Sequence, residues 1–207
     1  MTYQVEELRA PNFRLLDELA HQNLMPFIRV QLERNKPVLY ALNACMFLFM
    51  AFFFYFLLKD LVNGNGAISV QFLYFSYGVG LTFLLIPVHE YLHVLAYRVM
   101  GARNTYLDMN LQKFYFMALA DQSVVNARQF RVVALTPFVT VSTISLILAI
   151  GLVGTWKLVA LGLFLSHTVF CSGDFGLLSY LHFNQDKEIY TYDDKASGMS
   201  YFFEKVS

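Results

Sequence analysis

The chain has 207 residues, of which 57% are hydrophobic and 14% charged. Its mean hydropathy is +0.48, a membrane protein's profile rather than that of an ordinary soluble domain. Fifteen basic and fifteen acidic residues leave no net charge, so nothing argues for nucleic acid as a partner.

Residues 1–36 are expected to form a cytoplasmic N-terminal segment without a signal peptide, because no apolar core lies near Met1. Within it, Phe13, Leu15, Leu16, Leu19 and Leu24 mix with Arg14, Asp17 and Glu18. The pattern suggests an amphipathic helix over 12–24, lying on the membrane or on the domain, or simply solvated. Four stretches then reach the length of about 20 apolar residues that a bilayer crossing needs: 38–58, 72–97, 132–154 and 158–181. Asn63-Gly-Asn-Gly66 reads as a turn between the first two spans, and Gly154-Thr-Trp-Lys157 joins the last two. Between the second and third spans, Leu107, Met109 and Leu111 alternate with Asp108, Asn110 and Gln112, and Phe114-Tyr-Phe116 follows. A period of two with aromatics suggests a strand or hairpin, with Ser123 as a helix cap leading into the third span. The tail, 183–207, is expected to be cytoplasmic.

Orientation follows from the basic residues. With the amino terminus inside, thirteen of the fifteen lysines and arginines fall on the cytoplasmic side, leaving Lys59 and Lys157 outside. Both cysteines, Cys45 and Cys171, lie in predicted spans and are expected to be reduced. The expected fold class is an all-α membrane protein: four transmembrane helices in a domain over 37–182, with a short β-hairpin or strand segment between helices 2 and 3.

His89-Glu90-Tyr91-Leu92-His93 lies inside the second span. Two imidazoles four residues apart share one helix face and can grip one zinc ion, and the carboxylate beside the first is placed for proton transfer. Ionisable groups at such depth are costly and mark functional sites. A catalytic zinc usually takes three protein ligands. Within the four spans the acidic residues are Glu90 and Asp174, so Asp174 is the natural third ligand. The histidines lie about 7–13 Å past the middle of their span and Asp174 about 6–8 Å past the middle of its own, both toward the cytoplasm. The fourth span is expected to run opposite to the second. Gly173 and Gly176 flank Asp174, allowing close helix approach and loosening the helix. His167, two turns earlier, is the rival ligand, or else a group behind the ligands or on the substrate side; Gly173 and Pro137 are candidates for such supporting positions. Pro87 either kinks the second helix to open the site or is a tolerated membrane-helix proline. Cys171 reads as packing, and His21 and His182 as surface or interfacial residues.

These features resemble the bacterial family of putative zincin peptidases, compact relatives of the site-2 protease class of intramembrane metallopeptidases. The resemblance rests on His89-Glu90-x-x-His93 in one membrane helix, a strand-like segment after it, and a later helix with Ser172-Gly173-Asp174. It spans 38–181 and touches the tail, where Tyr192-Asp193-Asp194 begins a short polar segment. It implies that His89, His93 and Asp174 bind one zinc ion per chain, that Glu90 is the catalytic acid/base, and that membrane protein or peptide substrates are hydrolysed near the cytoplasmic side of a bacterial cytoplasmic membrane. There is a departure: site-2 proteases typically place an asparagine and a proline before an Asp-Gly pair. Here the pair is Gly173-Asp174 followed by Phe175, and Pro137 belongs to another helix. The alternative is a metal-binding membrane scaffold or regulator without hydrolytic activity. A diiron hydroxylase would need more than the five histidines present.

Overall fold

The computed structural model describes residues 3–64, 67–110 and 115–206. Asn65 and Gly66 of the expected turn, and 111–114 of the expected strand segment with its Lys113, lie outside the described residues. The elements in chain order are β1 (Phe13–Ala20), α1 (Leu24–Arg34), α2 (Lys36–Val62), α3 (Ile68–Val99), β2 (Thr105–Asn110), β3 (Tyr115–Ala120), β4 (Val125–Asn126), α4 (Ala127–Gly151), α5 (Trp156–Phe170), α6 (Ser172–Phe183), β5 (Ile189–Asp194) and β6 (Met199–Lys205). The chain divides into two compact units that cut across the domain boundaries expected from sequence. One comprises Met1–Arg34, Pro87–Pro137 and Gly173–Ser207, the other Asn35–Ile86 and Phe138–Ser172.

The second unit is helical. Helix α2 opens on Asn35, whose side chain accepts from the Val38 N–H, with a proline in the first turn, as helix starts favour. Its apolar face meets α5 in a cluster of Phe49, Phe53, Leu57, Leu158, Leu161, Phe164 and Leu165, in which the Phe49 and Phe164 rings stack with centroids 3.6 Å apart. Helices α3 and α5 cross where both lack side chains. A Cβ at Gly78 would collide with the Val159 carbonyl, and one at Gly162 with the Phe75 carbonyl. One turn further along each helix, Thr82 Oγ1 and Ser166 Oγ are 2.5 Å apart. Numbering rises in step along both helices, so α3 and α5 are parallel, which corrects the expected opposite direction. Two intervening chain reversals restore the original sense.

Helices α2, α3 and α4 are each long and apolar enough to cross a membrane. The fourth expected span is not one straight helix. It breaks at Cys171 into α5 and α6, bent by 45°, and the two qualify as a crossing only together. Ser172 and Gly173, both poor in helix propensity, stand at the break, and Asp174 falls in the first turn of α6.

The first unit corrects the all-α expectation. It contains a four-stranded antiparallel sheet in the order β1-β6-β5-β4 and a two-stranded sheet of β2 and β3. Phe13–Ala20, expected within a helix, is strand β1, pairing with β6 through a bulge between Leu15 and Asp17. That partner is the C-terminal segment, too distant in sequence for local periodicity to reveal. The tail is likewise a hairpin: Tyr192, expected to begin a short polar segment, is buried in β5. An aromatic cluster of Phe13, Tyr190, Tyr192 and Phe203 with Val5, Leu8 and Val124 backs this sheet. The surface helix falls later than expected, at α1, where Ile28 and Gln31 are buried while Met25 and Val30 face out. Ile28 packs on α6: a Cβ at Gly176 would lie 2.6 Å from its Cγ2, so glycine is what lets these helices touch. The cap of α4 is Asn126, not Ser123. Asn126 Oδ1 accepts from the Gln129 N–H at 2.9 Å, and Gln129 Oε1 from the Asn126 N–H at 3.0 Å, a reciprocal capping box.

Candidate metal centre

Within the first unit, the helical repeat of α3 places His89 and His93 one turn apart on the same face. The helix continues through Pro87 to Val99. Both rings are buried, in T-shaped contact with centroids 4.9 Å apart. Their Nε2 atoms are separated by 3.2 Å. Asp174, from the first turn of α6, brings its carboxylate against both: Oδ1 lies 3.1 Å from His93 Nε2 and Oδ2 lies 3.5 Å from His89 Nε2.

The other nitrogen of His93, Nδ1, is 2.9 Å from the Val133 carbonyl oxygen in α4. A carbonyl can only accept, so the ring donates Nδ1–H and, when neutral, keeps a lone pair on Nε2. That lone pair faces a carboxylate oxygen and a second imidazole nitrogen, contacts that a shared proton or a bound cation would satisfy. Asp174 Oδ2 is buried and accepts no hydrogen bond from the described residues. Its distance from His89 exceeds the ordinary N–H···O range of about 2.7–3.2 Å.

Glu90 stands beside this group. Its Oε1 is 4.0 Å from His89 Nε2, and its Oε2 accepts from the Ala118 N–H of β3 at 2.9 Å. Ala118 therefore turns its N–H away from β2, toward the outer edge of β3. Two residues on, the Ala120 N–H shares that edge and is taken by Asp193 Oδ2 at 3.3 Å. Asp193 is held in turn by the Ser200 hydroxyl at 2.6 Å, while the Gln122 N–H bonds the Asp193 carbonyl at 2.9 Å. The outer edge of β3 is thus held by two carboxylates.

The remaining sequence candidates are placed as follows. Gly173 packs at ordinary contact distance from Ile28 of α1. Pro137 is fully buried inside α4. His167 belongs to the other unit, buried in α5 with Nδ1 3.6 Å from Cys171 Sγ. Ala118, Val133 and Asp193 escaped the sequence reading. The first two act through backbone atoms, and Asp193 sat in a short polar segment of the tail to which no role was given.

A family described as putative zincin peptidase matches residues 82–189 of the chain, slightly more than half of it and including His89, Glu90, His93, Ala118, Val133 and Asp174. The chain belongs to this family. No curated protein and no solved structure matches it. Membership in the zincin peptidases suggests a metallopeptidase and implies zinc. The side chains present fit that ion. Two imidazole nitrogens and a carboxylate are a usual catalytic zinc set, and bonds of about 2.0–2.1 Å in tetrahedral array separate ligand atoms by roughly 3.3 Å. The two imidazole nitrogens are 3.2 Å apart, with one carboxylate oxygen 3.1 Å from His93 and the other 3.5 Å from His89, and the unsatisfied Asp174 Oδ2 is the orphaned atom such a cation would answer.

Proposed function

We propose that this zincin peptidase is a zinc-dependent intramembrane metallopeptidase related to the site-2 protease class. It would hydrolyse peptide bonds of membrane-associated substrates near the cytoplasmic face. The observation that carries the reading is the convergence of His89, His93 and Asp174 at 3.1–3.5 Å, with the Glu90 carboxylate alongside.

His89, His93 and Asp174 would hold one zinc ion per chain. Bound there, zinc supplies Lewis acidity that polarises the scissile carbonyl and acidifies water. Glu90 takes the proton released as water adds to the carbonyl carbon, and delivers it to the amine nitrogen as the C–N bond breaks. The Ala118 N–H fixes which way the Glu90 carboxylate points. A helical substrate hides its carbonyls in its own hydrogen bonds and has to be extended first. The β2–β3 sheet adjoins Glu90 and would hold the extended chain as an added strand only where Glu90 and Asp193 yield the edge of β3 that they now occupy. The thirteen-to-two division of basic residues supports an orientation with both termini cytoplasmic, and a bacterial cytoplasmic membrane is the setting this reading assigns.

Glu90→Gln tests the reading. The amide keeps the shape but cannot take a proton, so the purified variant should retain zinc and lose cleavage by roughly 10²–10⁴-fold. Cleavage at the wild-type rate would leave a metal-binding scaffold without hydrolytic function as the better description.

A further inference from the structure

In an α-helix each carbonyl accepts from the N–H four residues later. For Val133 that residue is Pro137, which has no N–H to give. A proline ring also presses against the carbonyl four residues before it, tilting that group off the helix axis. The Val133 oxygen is spoken for all the same: His93 Nδ1 lies 2.9 Å from it, from the neighbouring helix α3. Pro137 is fully buried in a helix that runs on to Gly151, so it neither ends the helix nor meets solvent. Its local consequence is a carbonyl deprived of its usual donor four residues on, at the level of the candidate metal centre.

We propose that Pro137 is a positioning residue for that centre: by withholding its N–H it reserves the Val133 carbonyl for His93, fixing which imidazole nitrogen carries the proton and which faces Asp174 and His89. The inference rests on the metal-binding reading above and assigns a cause to the orientation of one ligand. Without the Val133 acceptor, a buried Nδ1–H would go unsatisfied, and the ring would favour protonation at Nε2, where the proton blocks the ligand lone pair. Partners that orient a ligating histidine typically change metal affinity by about 10–100-fold when altered.

Two variants and three readouts on the full-length protein in detergent test this. Pro137→Ala and Pro137→Gly both restore the N–H. Alanine also favours the helix, whereas glycine does not. In Pro137→Ala, zinc affinity measured by chelator competition should fall about 10–100-fold, while the melting temperature of the metal-free protein holds or rises. In Pro137→Gly, affinity should fall without any gain in stability. Nitrogen-15 shifts of His93 in the metal-free protein should report Nδ1–H in the wild type and loss of that preference in Pro137→Ala. Zinc affinity within about twofold of wild type in both variants, or affinity and metal-free stability falling together in both, would overturn the proposal. A wild type that binds no zinc would count against the metal reading itself. The His93 shifts would then decide alone: the same tautomer in wild type and Pro137→Ala refutes the role of Pro137, and a changed one upholds it.

Discussion

Asp193 has Oδ1 bonded by the Ser200 hydroxyl and Oδ2 by the Ala120 N–H. The Ser200 proton goes to Asp193, so His21 Nε2, 3.2 Å from Ser200 Oγ, must be the donor in that contact. Burial pushes the Asp193 carboxyl above its ordinary value of 3.8, with nearby Asp121 adding to the rise, while the two hydrogen bonds and His21 pull it partway back. A raised carboxyl holds its proton more tightly folded than unfolded. Its contribution to stability is therefore greatest below the ordinary value and is lost as pH climbs through the raised one. Asp193→Asn removes this titration and keeps an acceptor for Ala120. Its melting temperature should decline less than the wild type's as pH rises from 3.8 through the weakly acidic range; parallel curves would refute the assignment. Residues that act through side chains at a fixed spacing were legible in advance: His89, Glu90 and His93 by helical repeat, and Asp174 as the other acidic group in the spans. Val133 and Ala118 were not, because a backbone carbonyl or N–H carries no residue-type signal, and its partner is set only when helix and strand meet.

Among the elements, the apolar helices were read closely because their signal is local: twenty-odd hydrophobic residues declare themselves whatever surrounds them. Strand β1 was read as a helix because Phe13, Leu15, Leu16 and Leu19 satisfy neither period cleanly. The bulge between Leu15 and Asp17 is what shifts the pattern midway. The direction of α5 against α3 becomes evident at the crossing of Gly78 with Gly162. Two glycines in α3 make a controlled comparison there. Gly78→Ala would drive a methyl into the Val159 carbonyl and should destabilise the protein by about 1–3 kcal/mol. Gly80→Ala meets nothing within 4 Å and should be neutral or stabilising by up to about 1 kcal/mol. Thermal unfolding in detergent compares them. Equal effects would mean that α3 and α5 do not pack through these glycines.

At the scale of the whole molecule, two kinds of assembly coexist. The unit formed by Asn35–Ile86 and Phe138–Ser172 is built from apolar helices whose outward side chains, such as Phe47 and Ile150, are largely exposed, as expected of surfaces that face lipid. Three to four helices of membrane-crossing length make the chain consistent with an integral membrane protein. The other unit gathers three distant stretches of chain, and its sheet joins β1, β4 and the β5–β6 hairpin. Non-local pairing of that kind leaves little trace in any one segment, which is why the sheet was missed while the spans were not. The candidate centre shares this character, since α3 and α6 contribute candidate ligands, His93 and Asp174, more than eighty positions apart. If it holds an ion, chelation should lower the melting temperature of the purified protein, because a ligand bound only to the folded state stabilises it.

The most direct measurement is elemental analysis of the full-length protein purified in detergent, comparing wild type with Asp174→Ala and His167→Ala. The expected result is about one equivalent of zinc in the wild type and in His167→Ala, with loss of the metal in Asp174→Ala. Zinc retained in full by Asp174→Ala, or lost in His167→Ala alone, would contradict a centre built from His89, His93 and Asp174.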